Sequence, residues 1–246
     1  MGELIAVLSG KGGTGKTSVC AGVAVAMAAE GLKVLCIDCA VGLRNLVISL
    51  GMSESGALSF LDVCEGGYSI ADAAVHPDYA NLSFLTAPMN CPVEKIDPGP
   101  FGEMLRKARN EFDYIFLDAP AGVDAGFRLV SGVADHVMLV TGAGPAAVRD
   151  ACRVGDLLEI GGKKDVRLVV NRVSRSMLST VRMTIDDVMD TAGLPLLGVV
   201  LEDSDVILAA AFGRSLLQYN RRSDAARAFG KIARRIQGYS TPILLR

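Results

Sequence analysis

The chain has 246 residues, 50% of them hydrophobic, no tryptophan and a formal net charge of -2. That length suits one large α/β domain with a sizeable core, and the near-balanced charge speaks against a general nucleic-acid binder, which carries a basic excess. Apolar stretches are cut by Gly, Pro or charge well short of the ~20 residues a membrane-spanning helix needs.

No basic leader or small-residue cleavage site precedes the first strand, so a cytoplasmic protein is expected. Cys20, Cys36, Cys39, Cys64, Cys91 and Cys152 are then reduced thiols rather than a disulfide framework. In chain order, Leu4 to Leu8 is a short apolar run, followed by a glycine-rich loop and a helix from about Lys16 to Glu30. Gly31 ends that helix as a left-handed cap residue would. Val34 to Ile37 is a second strand and delivers Asp38 to its end. The stretch from Gly51 to Pro100 is rich in Gly and Pro, with Ser83 to Leu85 as a third strand. After the Pro98-Gly99-Pro100 break a helix is expected from about Phe101 to Glu111. Tyr114 to Leu117 ends at Asp118, and Val137 to Val140, Arg167 to Val170 and Leu196 to Val200 complete the strands. Arg221 to Arg235 is a basic helix with Phe229, Ile232, Ala233 and Ile236 at helical spacing. Its cations form a solvated face or a contact for anionic lipid or DNA.

Strands separated by helical segments predict right-handed crossovers, hence an α/β fold in one domain over 1–246, with a mainly parallel central sheet and helices on both faces. Such sheets bind ligands at the carboxyl ends of their strands, where Asp38, Asp118 and residues 10–17 all fall. Gly10, Gly15, Lys16 and Thr17 meet the pattern G-x-x-x-x-G-K-[ST] between an apolar strand and a helix. The loop glycines let successive backbone N–H groups turn toward phosphate oxygens, and the helix N-terminus adds its positive end. Gly10, Lys11, Gly12, Gly13, Thr14, Gly15, Lys16 and Thr17 are therefore expected to cradle ATP or ADP. Lys16 would neutralise the β and γ oxygens, and Thr17 would offer its hydroxyl to Mg²⁺. Asp118, after four apolar residues, would hold Mg²⁺ through water. Asp38 has the same placement on another strand; it either supports the metal or holds loop backbone by hydrogen bonds. Cys36 and Cys39 read as core or near-site thiols rather than a redox or metal pair, and His76 and His136, isolated in sequence, receive no role.

The additional Lys11 in Ser9-Gly10-Lys11-Gly12-Gly13 resembles the deviant Walker A motif of the MinD/ParA ATPases. Gly42-Leu43-Arg44-Asn45-Leu46 and Asp118-Ala119-Pro120-Ala121-Gly122 resemble the two switch segments of the MinD branch. Val148-Arg149-Asp150 and Leu168-Val169-Val170-Asn171-Arg172 follow at the expected places, so the resemblance spans nearly the whole chain. It implies a three-layer P-loop NTPase fold and an ATP-driven dimerisation switch. Two subunits would face each other across two nucleotides, with Lys11 of one reaching the phosphates of the other and completing the catalytic set with Lys16. Asn171 matches the residue that recognises the adenine edge, and Ser18, Asn45 and Arg172 join the implied nucleotide contacts. MinD proteins use ATP-bound dimers on the membrane, with partner proteins, to keep cell division at its proper site. A homodimer, a division-regulator partner and a peripheral place at the inner face of the plasma membrane are implied with it.

Two departures from the family stand out. Its Asp-x-Asp-x-Gly pattern reads Asp38-Cys39-Ala40-Val41-Gly42 here, so a methyl group replaces the carboxylate that orients the attacking water. Loss of such a group slows a reaction by ~10²–10⁴-fold, and slow hydrolysis with intact ATP binding is expected. The sequence stops at Thr241-Pro242-Ile243-Leu244-Leu245-Arg246, where the family's basic amphipathic membrane helix would begin, so that helix is not recognisable. A smaller difference is Cys152, where the family often has an acidic residue on the partner-facing helix. Two other functions fit the residues: a non-hydrolysing ATP-bound scaffold for a partner, which Ala40 favours, and a ParA-like cargo-positioning ATPase on DNA, against which the Gly42 to Leu46 segment speaks.

Overall fold

A computed structural model of the chain describes residues 1–42, 44–174 and 184–243. Leu43 of the first switch segment and Leu244, Leu245 and Arg246 at the chain end lie outside the described residues. The strands are β1 (Glu3–Leu8), β2 (Val34–Asp38), β3 (Ala74–Val75), β4 (Leu82–Leu85), β5 (Tyr114–Asp118), β6 (His136–Thr141), β7 (Val166–Val173) and β8 (Leu196–Leu201). They form one eight-stranded sheet in the order β3-β4-β2-β5-β1-β6-β7-β8. Every neighbouring pair is parallel except β3 with β4.

Side chains alternate across this sheet and build two cores. Leu4, Ala6 and Leu8 of β1 enter one, Ile5 and Val7 the other. The first core is covered by α3 (Phe60–Cys64), α4 (Pro98–Ala108), α5 (Ala125–Val133), α6 (Pro145–Ile160) and α7 (Ile185–Ala192). The second is covered by α1 (Lys16–Ala29), α2 (Asn45–Leu50), α8 (Asp205–Ala211), α9 (Leu216–Tyr219) and α10 (Asp224–Ile236). Strands buried on both faces read as continuous apolar runs, which is why the sequence marked them clearly.

α1 is apolar almost all round, from Val19 to Ala28, because it lies between the sheet and α10. Gly22 permits that approach: a Cβ there would stand 2.1 Å from the Phe229 ring of α10.

Two sequence expectations need correction. The Pro98-Gly99-Pro100 stretch is not a break before a helix but its first turn. Asp97 caps it by accepting from Gly99 N at 2.8 Å, and proline is tolerated where the N–H has no helical partner. The helix accordingly ends at Ala108, earlier than Glu111. The run Ser83 to Leu85 is the fourth strand, β4; the two-residue β3, paired antiparallel at the sheet edge, is too short to leave an alternating pattern. The cations of the basic stretch do form a solvated face, with Arg221, Arg222, Arg227 and Arg234 exposed, and several of them have partners there. Arg234 pairs with Glu30 at 2.9 Å, and Arg235 donates to Leu197 O and Thr241 O. Lys231 donates to Pro242 O, while Arg221 and Arg222 remain exposed.

No described helix is long and apolar enough to cross a membrane.

Candidate nucleotide site

The site forms where β1, the strand between β5 and β6, runs out into residues 9–15 at the carboxyl end of the sheet. Two glycines in this turn have left-handed backbones, Gly13 (φ 80) and Gly15 (φ 79), which residues with a Cβ adopt only under strain. A Cβ on Gly12 or Gly13 would meet nothing within 4 Å, so the loop faces open space. Gly10 is small for another reason: a Cβ there would stand 3.0 Å from Asp150 Cβ on α6.

Lys16 opens α1 and is buried. Its Nζ forms an ion pair with Asp118 Oδ1, and the Thr17 hydroxyl donates to Asp118 Oδ2 at 2.7 Å. Asp38 sits opposite Asp118 in the β2–β5 register, with no exposed surface. It accepts from Ala40 N at 2.9 Å and from Leu46 N at 3.3 Å, the backbone-holding role considered for it. Burial, and then the charge of Asp118, push the Asp38 carboxyl up to about 6, against the pull of those N–H groups and Lys16.

Two buried carboxylates with Lys16 as their buried cation make a centre that a divalent cation suits. The Thr14 hydroxyl, buried and without a hydrogen-bond partner among the described residues, is a second group suited to a polar ligand. The residues present thus fit a phosphate chain with Mg²⁺. Thr17, Asp118 and, behind them, Asp38 would hold the metal.

Beside the loop lies an open pocket of about 260 Å³ lined by Gly13, Asn171, Arg172, Glu202, Gly142 and Ala147 among others. Asn171 donates to Thr14 O at 2.8 Å and is 5% exposed. Arg172, with φ 56, donates to Gly13 O and pairs with Glu202 at 3.2 Å. Lys11 points outward, half exposed, with Nζ 3.7 Å from Asp150 Oδ2.

The structure therefore gathers residues 10–17, Asp38, Asp118, Asn171 and Arg172. Ser18 instead lines a separate cavity of about 20 Å³ with Ser49 and Arg214, and Asn45 is exposed at the start of α2, outside the pocket lining. Cys36 and Cys39 are three positions apart and enter opposite cores, so they cannot form one redox or metal pair. Glu202 and the Gly142 to Gly144 loop escaped the sequence reading, although both follow apolar strands at their carboxyl ends. Asp150 was in view, but its contact with Lys11 joins residues far apart in sequence.

A family model described as the CobQ/CobB/MinD/ParA nucleotide binding domain matches residues 5–216. The septum site-determining protein MinD of Synechocystis is 35% identical over 99% of this chain and 92% of its own length. The MinC:MinD cell division protein complex of Aquifex aeolicus contains a chain that superposes with a TM-score of 0.90 at 31% identity, covering 98% of both chains. MinD of Pyrococcus horikoshii, solved with Mg-ADP, superposes with a TM-score of 0.84 at 29% identity over 96% of each.

Proposed function

The chain belongs to the MinD/ParA family of P-loop ATPases, and from that premise we propose that it is an ATP-dependent dimerisation switch for division-site placement, with slow hydrolysis. ATP or ADP and Mg²⁺ are its ligands. The observation that carries the switch reading is the contrast between its two loop lysines. Lys16 is buried and committed to Asp118, whereas Lys11 stands half exposed, tethered to Asp150 at 3.7 Å. A cation so placed can leave Asp150 for the phosphates of a second copy, which Lys16 cannot do.

The backbone N–H groups of residues 10–15 and Lys16 would bind the phosphates of ATP, and Thr17 and Asp118, now hydrogen-bonded to each other, would hold the metal. When bound, Mg²⁺ would supply positive charge that offsets the negative charge of the phosphate chain. Lys11 of the partner subunit would add a charge where negative charge develops, inside an interface that excludes water. Both oxygens of Asp38 already accept backbone N–H groups, and the methyl side chain of Ala40 has no atom that could take a proton from the attacking water. Slow turnover follows from that.

The septum-site role of the relatives and the MinC:MinD complex of Aquifex aeolicus support a division-regulator protein as partner. A cytoplasmic address at the inner face of the plasma membrane goes with that role. The scaffold alternative is this same switch at the limit of zero turnover.

The test is light scattering on a sizing column after prolonged incubation with Mg-ATP, with the nucleotide in the protein peak identified. A dimer retaining ATP is expected, and Ala40→Asp should raise turnover ~10²-fold or more and leave ADP. A wild-type monomer carrying ADP would overturn the slow-switch reading.

A further inference from the structure

His76 lies on the turn after β3, is 1% exposed, and has no place in the nucleotide chemistry described above. Its two ring nitrogens are both engaged. Nδ1 accepts from Asp78 N at 3.1 Å, which leaves the proton on Nε2, and Nε2 donates to Leu50 O at 2.9 Å. The ring also leans on Tyr79, with centroids 5.0 Å apart. Leu50 is the last residue of α2, and Leu46 near the other end of that helix donates its N–H to Asp38.

The six-residue α2 is therefore strung between Asp38 at the metal centre and His76 behind it. Its exit is fixed as well. Gly51 has φ 76, and a Cβ there would stand 2.5 Å from Ser215 N, so the end of α2 abuts the backbone ahead of α9. Gln218 of α9 donates to the Asp78 carboxylate, joining α9 to the same turn that carries His76.

We propose that His76 is a positioning residue: by holding the last carbonyl of α2 it sets Leu46, near the other end of that helix, against Asp38, and so favours ATP over ADP at the site. The inference rests on the nucleotide-switch reading above and adds to it the residue that fixes the switch from behind. A segment that follows the γ-phosphate and its metal must have a defined resting place, or ordering it consumes part of the binding energy. A lone α2 of this length would not supply one, because short helices are marginal without tertiary anchors.

The test is calorimetric titration of Mg-ATP and Mg-ADP into wild type, His76→Gln, His76→Asn and His76→Leu. The glutamine amide can replace the Nε2 donor to Leu50 O, whereas the shorter asparagine can replace only the acceptor for Asp78 N. His76→Leu and His76→Asn are expected to lose about tenfold in ATP affinity, the scale of one hydrogen bond, with ADP affinity held within about twofold. His76→Gln is expected to restore the ATP to ADP ratio to within about threefold of wild type. Equal losses for both nucleotides, or asparagine performing as well as glutamine, would reduce His76 to a packing residue and overturn the proposal. If His76→Leu does not fold, the glutamine and asparagine pair still decides. A wild-type chain that stays monomeric with ATP would defeat the dimerisation reading alone, because the affinity ratio is read on whichever species binds.

Discussion

Asp38 and Asp118 are the residues whose chemistry most depends on being brought together. Each ends an apolar strand, and the parallel register of β2 with β5 sets them side by side with Lys16 and Thr17 closing over Asp118. The Asp38 carboxyl, raised from 3.8 to about 6, gives the nucleotide-free protein a distinctive pH dependence. A group with a raised folded value stabilises fully below its unfolded value and loses that contribution as pH rises through about 6. The difference corresponds to roughly 3 kcal/mol. Burial lowers the His76 value, so His76 works in the opposite sense, adding stability as pH rises through its ordinary 6.5. Comparing wild type with Asp38→Asn cancels the His76 part. In urea unfolding, the stability of Asp38→Asn relative to wild type should rise by about 2–3 kcal/mol between pH 4 and pH 7.5. A constant difference across that range would mean Asp38 is not the strained charge described. None of this coupling is visible in sequence, where Asp38 is one aspartate at a strand end.

Among the elements, α1 shows how tightly function and packing share a segment. Its first turn supplies Lys16 and Thr17, and the rest is buried between the sheet and α10. Gly22 and Phe229 meet where the two helices cross, so Gly22→Ala should destabilise by ~1–3 kcal/mol through overpacking, read as a lower urea midpoint. Nucleotide affinity should be unchanged in the folded fraction, since the clash lies on the side of α1 away from its first turn. The sequence announced α1 and its closing Gly31 because an apolar run between glycine signals is a local pattern. It misplaced the start of α4 because proline at a helix N-terminus and proline in a loop look alike until the Asp97 cap is seen. It missed β3 because two residues carry no periodicity, and with β3 it missed the turn that places His76.

At the scale of the whole molecule, the proposed dimer is symmetric, so the Lys11 contact would occur twice, once from each subunit toward the nucleotide of the other. Two charge-assisted contacts of ~1.5–3 kcal/mol each imply that Lys11→Ala weakens ATP-dependent association by on the order of 10²–10⁴-fold. Light scattering should find that variant monomeric with ATP bound, and a normal dimer would remove Lys11 from the interface. The sequence by itself determined the α/β architecture, the phosphate loop and the carboxylates at strand ends, because each is written in contiguous residues with their own spacing. It also exposed Ala40, since a single substitution inside a short motif is a local fact. Only the tertiary structure decided that Cys36 and Cys39 face opposite cores, that Lys11 rests on Asp150, that Ser18 turns away from the pocket, and that His76 holds α2. Those outcomes depend on contacts between residues distant in the chain, fixed by sheet register and helix packing, which spacing along the sequence does not encode.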